Sequence, residues 1–284
     1  MSEDVKVKDD KIYETFSITM ELERPLLVDE EEDNSSKVPK KKTIYRNILV
    51  GAIGLLIIGV IVFLIWASNS YKPQEIAKQA LVSDNTVDVN VSDYISFTPK
   101  NVDATKGFIF YPGAKVEPEA YAPIARKVAE QGYEVIIAKM PFNLAIFSPS
   151  EAEKIVDDYK NIESWTIGGH SLGGVMASKF ASDNKYIDGV VLLASYPMGN
   201  ELKNLGKEVV SIWGSSDGVL NFESIYNSKA NLPQDTTYVE IEGGNHAQFG
   251  DYGKQSGDND ALISQDDQIQ VTAKSIIDFM NKLK

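Results

Sequence analysis

The stretch Gly168-Gly169-His170-Ser171-Leu172-Gly173-Gly174 stands between an apolar run, Trp165 to Ile167, and a helix-like segment, Val175 to Ala181. A Gly-x-Ser-x-Gly in that setting marks a nucleophile elbow, a strained strand-to-helix turn that lifts a serine hydroxyl out of the end of a parallel sheet. It constrains the fold strongly, because backbone closes so tightly around such a turn that positions 169 and 173 must be glycine-sized. Ser171 is the expected nucleophile, and the Leu172 N–H is expected to face an anion at the start of the helix.

A serine hydroxyl is a weak nucleophile at neutral pH, so it needs a base and a group to hold that base in the right tautomer. The chain has two histidines. His170 adjoins the serine on the turn and is expected to project away, which leaves His246, in Gly243-Gly244-Asn245-His246 after the strand-like 237–241. An acid between serine and histidine in chain order is Asp217, delivered by Gly214-Ser215-Ser216-Asp217-Gly218 after the strand-like 209–213. Asp183 and Asp188 lie in the same interval but flank the amino end of the next strand, away from the chemistry. A second oxyanion donor is expected from the loop after Phe108-Ile109-Phe110-Tyr111, where Pro112 and Gly113 shape a turn that leaves the Ala114 N–H free. Taken singly these residues have plainer readings: a chance Gly-x-Ser-x-Gly, an aspartate in a turn, a surface histidine. Their order and their placement after strands favour the catalytic one.

With Tyr-Pro-Gly-Ala-Lys at 111–115, Gly-Gly-His-Ser-Leu-Gly-Gly at 168–174, Gly-Ser-Ser-Asp-Gly at 214–218 and the order Ser171, Asp217, His246, the chain resembles the α/β-hydrolase superfamily. It is most similar to the compact branch related to dienelactone hydrolases and small esterases. The resemblance runs from about Val91 to Lys284, and it departs from the His-Gly-Gly-Gly of many lipases at 111–114. It implies an α/β fold, a mostly parallel sheet flanked by helices, and an acyl-enzyme route to ester hydrolysis.

Hydrophobic periodicity agrees with that architecture. One or two edge strands are expected within 87–97, then strands at 108–111, 134–139, 164–168, 187–194, 208–213 and 236–241. Helices are expected at 119–131, 150–161, after Ser171, 220–230 and 267–283. Only Ser195 to Lys207 lies where related folds insert a lid, so the lid is minimal. The loop 140–147 is unusually apolar; Met140, Phe142 and Phe147 are expected to line an acyl pocket with Pro197 and Met198, with ordinary core packing as the alternative. The Gly/Asp-rich stretch 248–260 offers no basis for choosing a metal, and no cofactor motif competes with the elbow.

Residues 48–67 form a run of 20 without charge, enough at about 1.5 Å per residue to span a hydrocarbon core of about 30 Å. A single transmembrane helix is expected there. A cleaved signal peptide is the alternative, with Ser68 and Ser70 as small residues near a cleavage point, but the run is long and 47 residues precede it. Lys40, Lys41, Lys42 and Arg46 crowd its N-terminal flank, so the N-terminus is expected in the cytosol and the catalytic domain outside the cell or in a lumen. Trp66 and Tyr71 are expected at the outer interface and Tyr45 at the inner one.

The domain organisation expected is therefore a disordered tail at 1–47, the membrane helix at 48–67, a juxtamembrane linker at 68–90 and the hydrolase domain at 91–284. The first 46 residues carry 12 acidic and 9 basic side chains, so most of the net charge of −13 falls on the hydrolase side. An acidic domain without a basic patch argues against nucleic acid as a partner. The absence of cysteine leaves stability to core packing. The partners expected are a small-molecule ester and the lipid bilayer; an acyltransferase with the same triad and a non-catalytic binding module are the competing functions.

Overall fold

Strand alternation explains how one sheet acquires two buried faces. In the computed structural model, which describes residues 41–283, Phe108 and Phe110 of a central strand join one core while Ile109 and Tyr111 join another. Successive side chains point to opposite faces, so a strand apolar at every position must be covered on both sides.

The chain divides between Gly59 and Val60 into two units. The first, so far as it is described, is helical: residues 41–59 belong to α1 (Lys41–Ser68). The expected tail at 1–47 lies outside the described residues as far as residue 40, whereas 41–47 are already helical. No glycine or proline stands between Lys41 and Ile48 to stop the helix from running back from the apolar run.

The second unit opens with residues 60–68 of α1 and is built on eight strands: β1 (Val87–Val91), β2 (Ile95–Pro99), β3 (Lys106–Tyr111), β4 (Glu134–Ile137), β5 (Ser164–His170), β6 (Ile187–Leu193), β7 (Glu208–Gly214) and β8 (Thr237–Ile241). The order across the sheet is β1-β2-β4-β3-β5-β6-β7-β8. β3 to β8 run parallel; β2 and β1 add an antiparallel edge beside β4. Of the one or two strands expected within 87–97, two are present, the second continuing to Pro99.

The helices are α2 (Glu75–Ala80), α3 (Ala122–Ala129), α4 (Glu151–Asp158), α5 (Leu172–Asp183), α6 (Phe222–Ser228) and α7 (Gln265–Met280). α3 and α7 cover the face of Phe108 and Phe110 through Ile124, Val128, Ile269 and Ile276; α4 and α5 cover the other through Ile155, Ala177 and Phe180. α7 is capped by the Ser264 hydroxyl, which accepts from the Asp267 N–H, with Asp266 and Asp267 favourable in the first turn.

The segment 68–90, expected as a linker, is held to this unit. The Tyr71 N–H donates to the Lys115 carbonyl at 2.7 Å, and the Glu117 N–H donates to the Tyr71 carbonyl at 3.0 Å. Ala77 and Val87 are fully buried, and the Ala77 N–H donates to Asp251 at 2.8 Å. Tyr71, expected as a membrane-interface anchor, packs tilted against Tyr252 with ring centroids 5.5 Å apart.

Strand order reverses beside β3, which has β4 on one side and β5 on the other. At such a switch point the loops leaving the carboxyl ends of two neighbouring strands diverge and open a crevice. The loops after β3 and β5 are those that carry Ala114 and Ser171.

At the opposite end, Glu134 is buried at the start of β4, where its carboxylate accepts from the Thr98 hydroxyl at 2.9 Å. Burial pushes its pKa up to about 7 despite that bond. The folded state therefore holds a proton that the unfolded state has released between the ordinary glutamate range and pH 7, and stability falls as pH rises through that window. Glu134→Gln is expected to remove this loss, gaining up to about 3 kcal/mol over wild type at pH 8 and little at pH 4. Thermal unfolding of both proteins across that range, followed by near-ultraviolet circular dichroism, checks it.

Candidate active site

The elbow forms because β5 continues through His170 and the chain then reverses into α5 within one residue. Ser171 takes φ 53° and ψ −123°, in the left-handed half of backbone space where a side chain is strained. The turn is pinned by the Ser171 N–H, which donates to the Leu193 carbonyl at 2.9 Å, and by the Ser195 hydroxyl, which donates to the Ser171 carbonyl at 2.8 Å. A Cβ on Gly173 would collide with the carbonyls of Tyr111 and Pro112, and one on Gly169 would lie 2.5 Å from Gly173 backbone.

Asp217 and His246 are brought together at the ends of β7 and β8, with His246 Nδ1 and Asp217 Oδ2 2.8 Å apart and both residues buried. Asp217 Oδ1 accepts from the N–H groups of Val219 and Leu220 at 2.9 and 2.7 Å, which fixes the carboxylate plane. His246 Nε2 is buried without a hydrogen-bond partner among the described residues. It lines a cavity of about 280 Å³ that Ser171 also lines, together with Leu172, Val175, Tyr196, Val219 and Leu220. A larger cleft, of about 400 Å³, lies between α2 and α3; its guanidinium, Arg126, is already bonded to the Ala80 and Val82 carbonyls and Asp84.

Around the turn after β3, the Gly113 N–H donates to the Tyr121 hydroxyl at 3.0 Å and the Lys115 N–H to the Asn143 carbonyl at 2.8 Å. Between them the Ala114 N–H has no partner among the described residues. Leu172 opens α5, where a first-turn N–H has no carbonyl within the helix to meet.

His170 does not project away, as expected from a strand ending at 168. β5 runs two residues further, and strand alternation turns the His170 ring to the face opposite Ile167. There it packs against His246 with ring centroids 4.4 Å apart and against Phe249 at 5.6 Å. Its Nδ1 lies 2.9 Å from the Tyr121 hydroxyl, which already accepts from Gly113 and so donates its own proton to His170. Burial, reinforced by the neighbouring His246, holds the His170 pKa well below the ordinary histidine value. Burial likewise raises that of Tyr121, so the hydroxyl keeps the proton it donates.

Two further residues escaped the sequence reading because only the fold makes them neighbours. Asp258 accepts from the Gly218 N–H at 2.9 Å and the Ala247 N–H at 2.8 Å, joining the loop of Asp217 to the loop of His246. Gln268 of α7 accepts from the Asn245 N–H at 3.0 Å and donates to its carbonyl at 2.7 Å, bracing the residue before His246. The stretch 248–260 thus holds the site's frame, and no cluster of three metal-ligating side chains occurs among the described residues.

None of the five residues expected to line an acyl pocket lines the cavity beside Ser171. Met140 is buried in the core under α4 and α5, Pro197 is buried, and Met198 is exposed. Phe142 and Asn143 adopt left-handed backbone, φ 56° and 54°, which turns the loop outward; the Phe142 and Phe147 rings meet that of Phe63 at 5.4 and 5.9 Å. The cavity's apolar walls come instead from Val175, Val219 and Leu220, small gains in local hydrophobicity that no motif marks.

Residues 107–270 match the model of the alpha/beta hydrolase family. The chain belongs to this family. Solved structures with the same fold include a predicted CIB-like hydrolase from Thermoplasma acidophilum, at TM-score 0.51 and 12% identity over 68% of this chain and 99% of that one. The esterase domain of a Rhodothermus marinus protein superposes at TM-score 0.54 with 12% identity, covering 67% and 92% of the two chains. Est1E of Butyrivibrio proteoclasticus, solved with ferulic acid bound, superposes at TM-score 0.53 with 13% identity over 71% and 99%. No curated protein matches the hydrolase in sequence.

Replacing Tyr121 by Phe leaves the Gly113 N–H and His170 Nδ1 of this hydrolase buried and unpaired. The expected outcome is a loss of about 1–3 kcal/mol in unfolding free energy, measured by denaturant titration.

Proposed function

We propose that this hydrolase is a membrane-anchored serine carboxylesterase acting on small or medium acyl esters. The observation that carries the reading is the bond of 2.8 Å between His246 and Asp217, with the other imidazole nitrogen unengaged beside a cavity that Ser171 lines. Asp217 holds the proton on His246 Nδ1, which leaves Nε2 free to take the proton of Ser171 as its oxygen attacks the ester carbonyl. The N–H groups of Leu172 and Ala114 stabilise the oxyanion, and His246 returns the proton to the departing alcohol. Water then enters, loses a proton to the same nitrogen and adds to the acyl carbon; as the bond to Ser171 Oγ breaks and the acid leaves, His246 returns that proton to Oγ. This scheme uses no cofactor.

Anchoring is supported by α1, whose most apolar 18-residue window has mean hydropathy 3.2 and no buried share. A surface so apolar costs free energy in water and gains it in hydrocarbon. The basic residues Lys41, Lys42 and Arg46 at its start favour a cytosolic N-terminus, with the hydrolase on the far side.

A fluorophosphonate probe tests the chemistry. Wild type is expected to label, Ser171→Ala is expected not to, and His246→Ala is expected to label about 10²–10⁴ times more slowly. Labelling of His246→Ala at the wild-type rate removes the imidazole from the mechanism.

A further inference from the structure

We propose that the loop 141–147 dips into the leaflet on the hydrolase side and that the site takes esters whose acyl chains reside in that leaflet. This rests on the anchored-hydrolase reading and specifies its substrate class. The loop reads Pro-Phe-Asn-Leu-Ala-Ile-Phe, without a charge, and presents Phe142, Ile146 and Phe147 about half exposed, at 48%, 56% and 53%. Three large apolar side chains displayed together on one short loop call for an apolar surrounding.

What that surrounding is follows from the loop's neighbour. Within the second unit, the Phe142 and Phe147 rings pack edge-on against Phe63, 5.4 and 5.9 Å away, and against each other at 5.8 Å. Phe63 belongs to the uncharged run and precedes its last residue, Ala67, by four positions, or about 6 Å along the helix axis. Once the helix spans a bilayer, Phe63 lies inside the hydrocarbon boundary, and rings in contact with it lie at about the same depth. One helical turn further out, Trp66 carries the Lys115 ammonium over its ring at 4.5 Å. An indole with a cation above it suits the headgroup level, where aromatic and basic side chains concentrate. The gradient runs from apolar rings to a charged amine in the same direction as the gradient of the bilayer.

The same loop borders the site. The Asn143 carbonyl receives the Lys115 N–H, one residue from Ala114, and Ala145–Phe147 packs on α5, the helix that begins at the elbow and supplies Val175 to the cavity wall. The hydrogen-bonded pair of Tyr71 with Lys115 and Glu117 ties the end of the anchor to the same turn. The loop does not itself line the cavity beside Ser171; on this proposal an ester passes from it along α5 to Ser171, which spares part of the desolvation that a long chain imposes on a water-exposed site.

The chain has no cysteine, so single cysteines label cleanly. Full-length Phe147→Cys, Leu55→Cys and Lys185→Cys, each carrying an environment-sensitive NBD fluorophore, are reconstituted in phosphatidylcholine vesicles. The probe at 147 is expected to brighten and to be quenched by a nitroxide on the upper acyl chain, as at 55, whereas the probe at 185 answers only to aqueous iodide. A probe at 147 that answers only to iodide, or that is shielded from both quenchers by a protein surface, overturns the insertion. Loss of lipid quenching at 55 as well overturns the anchor and the loop together.

The substrate class is read separately with a long-chain fluorogenic ester dissolved in the bilayer and a short-chain ester in water. Phe142→Gln/Phe147→Gln is expected to lower the ratio of long-chain to short-chain turnover about tenfold. An unchanged ratio overturns delivery from the leaflet. Absence of turnover of both esters by the unmodified chain overturns the hydrolase reading, while the quenching still reports on the loop.

Discussion

Everything at the rim of this sheet depends on how closely the start of α5 approaches the end of β3. Gly173 sits where any side chain would strike the carbonyls of Tyr111 and Pro112, so the turn at Ser171 and the turn after β3 are pressed backbone to backbone. That contact holds Ser171 in a left-handed conformation which an isolated peptide would relax. The strain is offset by the bonds from Ser171 to Leu193 and from Ser195 to Ser171, which belong to the neighbouring strand and the loop after it. The turn is therefore a property of three strands rather than of its own seven residues.

From that contact outward, buried polar groups are arranged in a chain of hydrogen bonds and ring contacts. Tyr121 accepts from Gly113 and donates to His170; His170, kept neutral by burial, forms a wall for His246; His246 meets Asp217, whose second oxygen is held by two backbone N–H groups. A half-satisfied network in such a place would be costlier than apolar packing, because the low dielectric that strengthens each bond also penalises each gap. Two imidazole nitrogens are left without a partner among the described residues, Nε2 of His170 and Nε2 of His246, and of the two residues only His246 lines the cavity beside Ser171.

How much of this was legible in the chain itself divides along physical lines. The strands and helices were, because burial on both faces of a parallel sheet demands near-continuous apolar runs, and 187–193 and 208–214 stand out as such. The elbow was, because its glycines and serine are contiguous. The direction of His170 was not: a two-residue error in where β5 ends reverses the face to which its ring points. Tyr121 and Asp258 were not, since each acts on residues that only the fold brings near, and neither carries a local pattern. The apolar character of 140–147 is plain in the sequence, but not that Phe142, Ile146 and Phe147 stand exposed while Met140, Leu144 and Ala145 are buried. Left-handed backbone at Phe142 and Asn143, residues with a Cβ, turns the loop outward, and nothing in the sequence announces that choice.

The outward turn places the rings of the loop against Phe63 near the end of α1. A catalytic domain tethered by a flexible linker would sample all orientations above a bilayer, and its site would meet lipid only part of the time. Here the chain leaving the helix is paired within three residues of Ser68 to the strand-like turn at Lys115–Glu117. Within the second unit, the end of the helix and the rim of the sheet thus share hydrogen bonds as well as aromatic contacts. On the anchored reading proposed above, orientation is set by backbone bonds, and the depth of the loop follows from the position of Phe63 rather than from a separate binding equilibrium. On this reading the entropy of aligning a site with a surface is met once, at folding, rather than at every encounter with substrate.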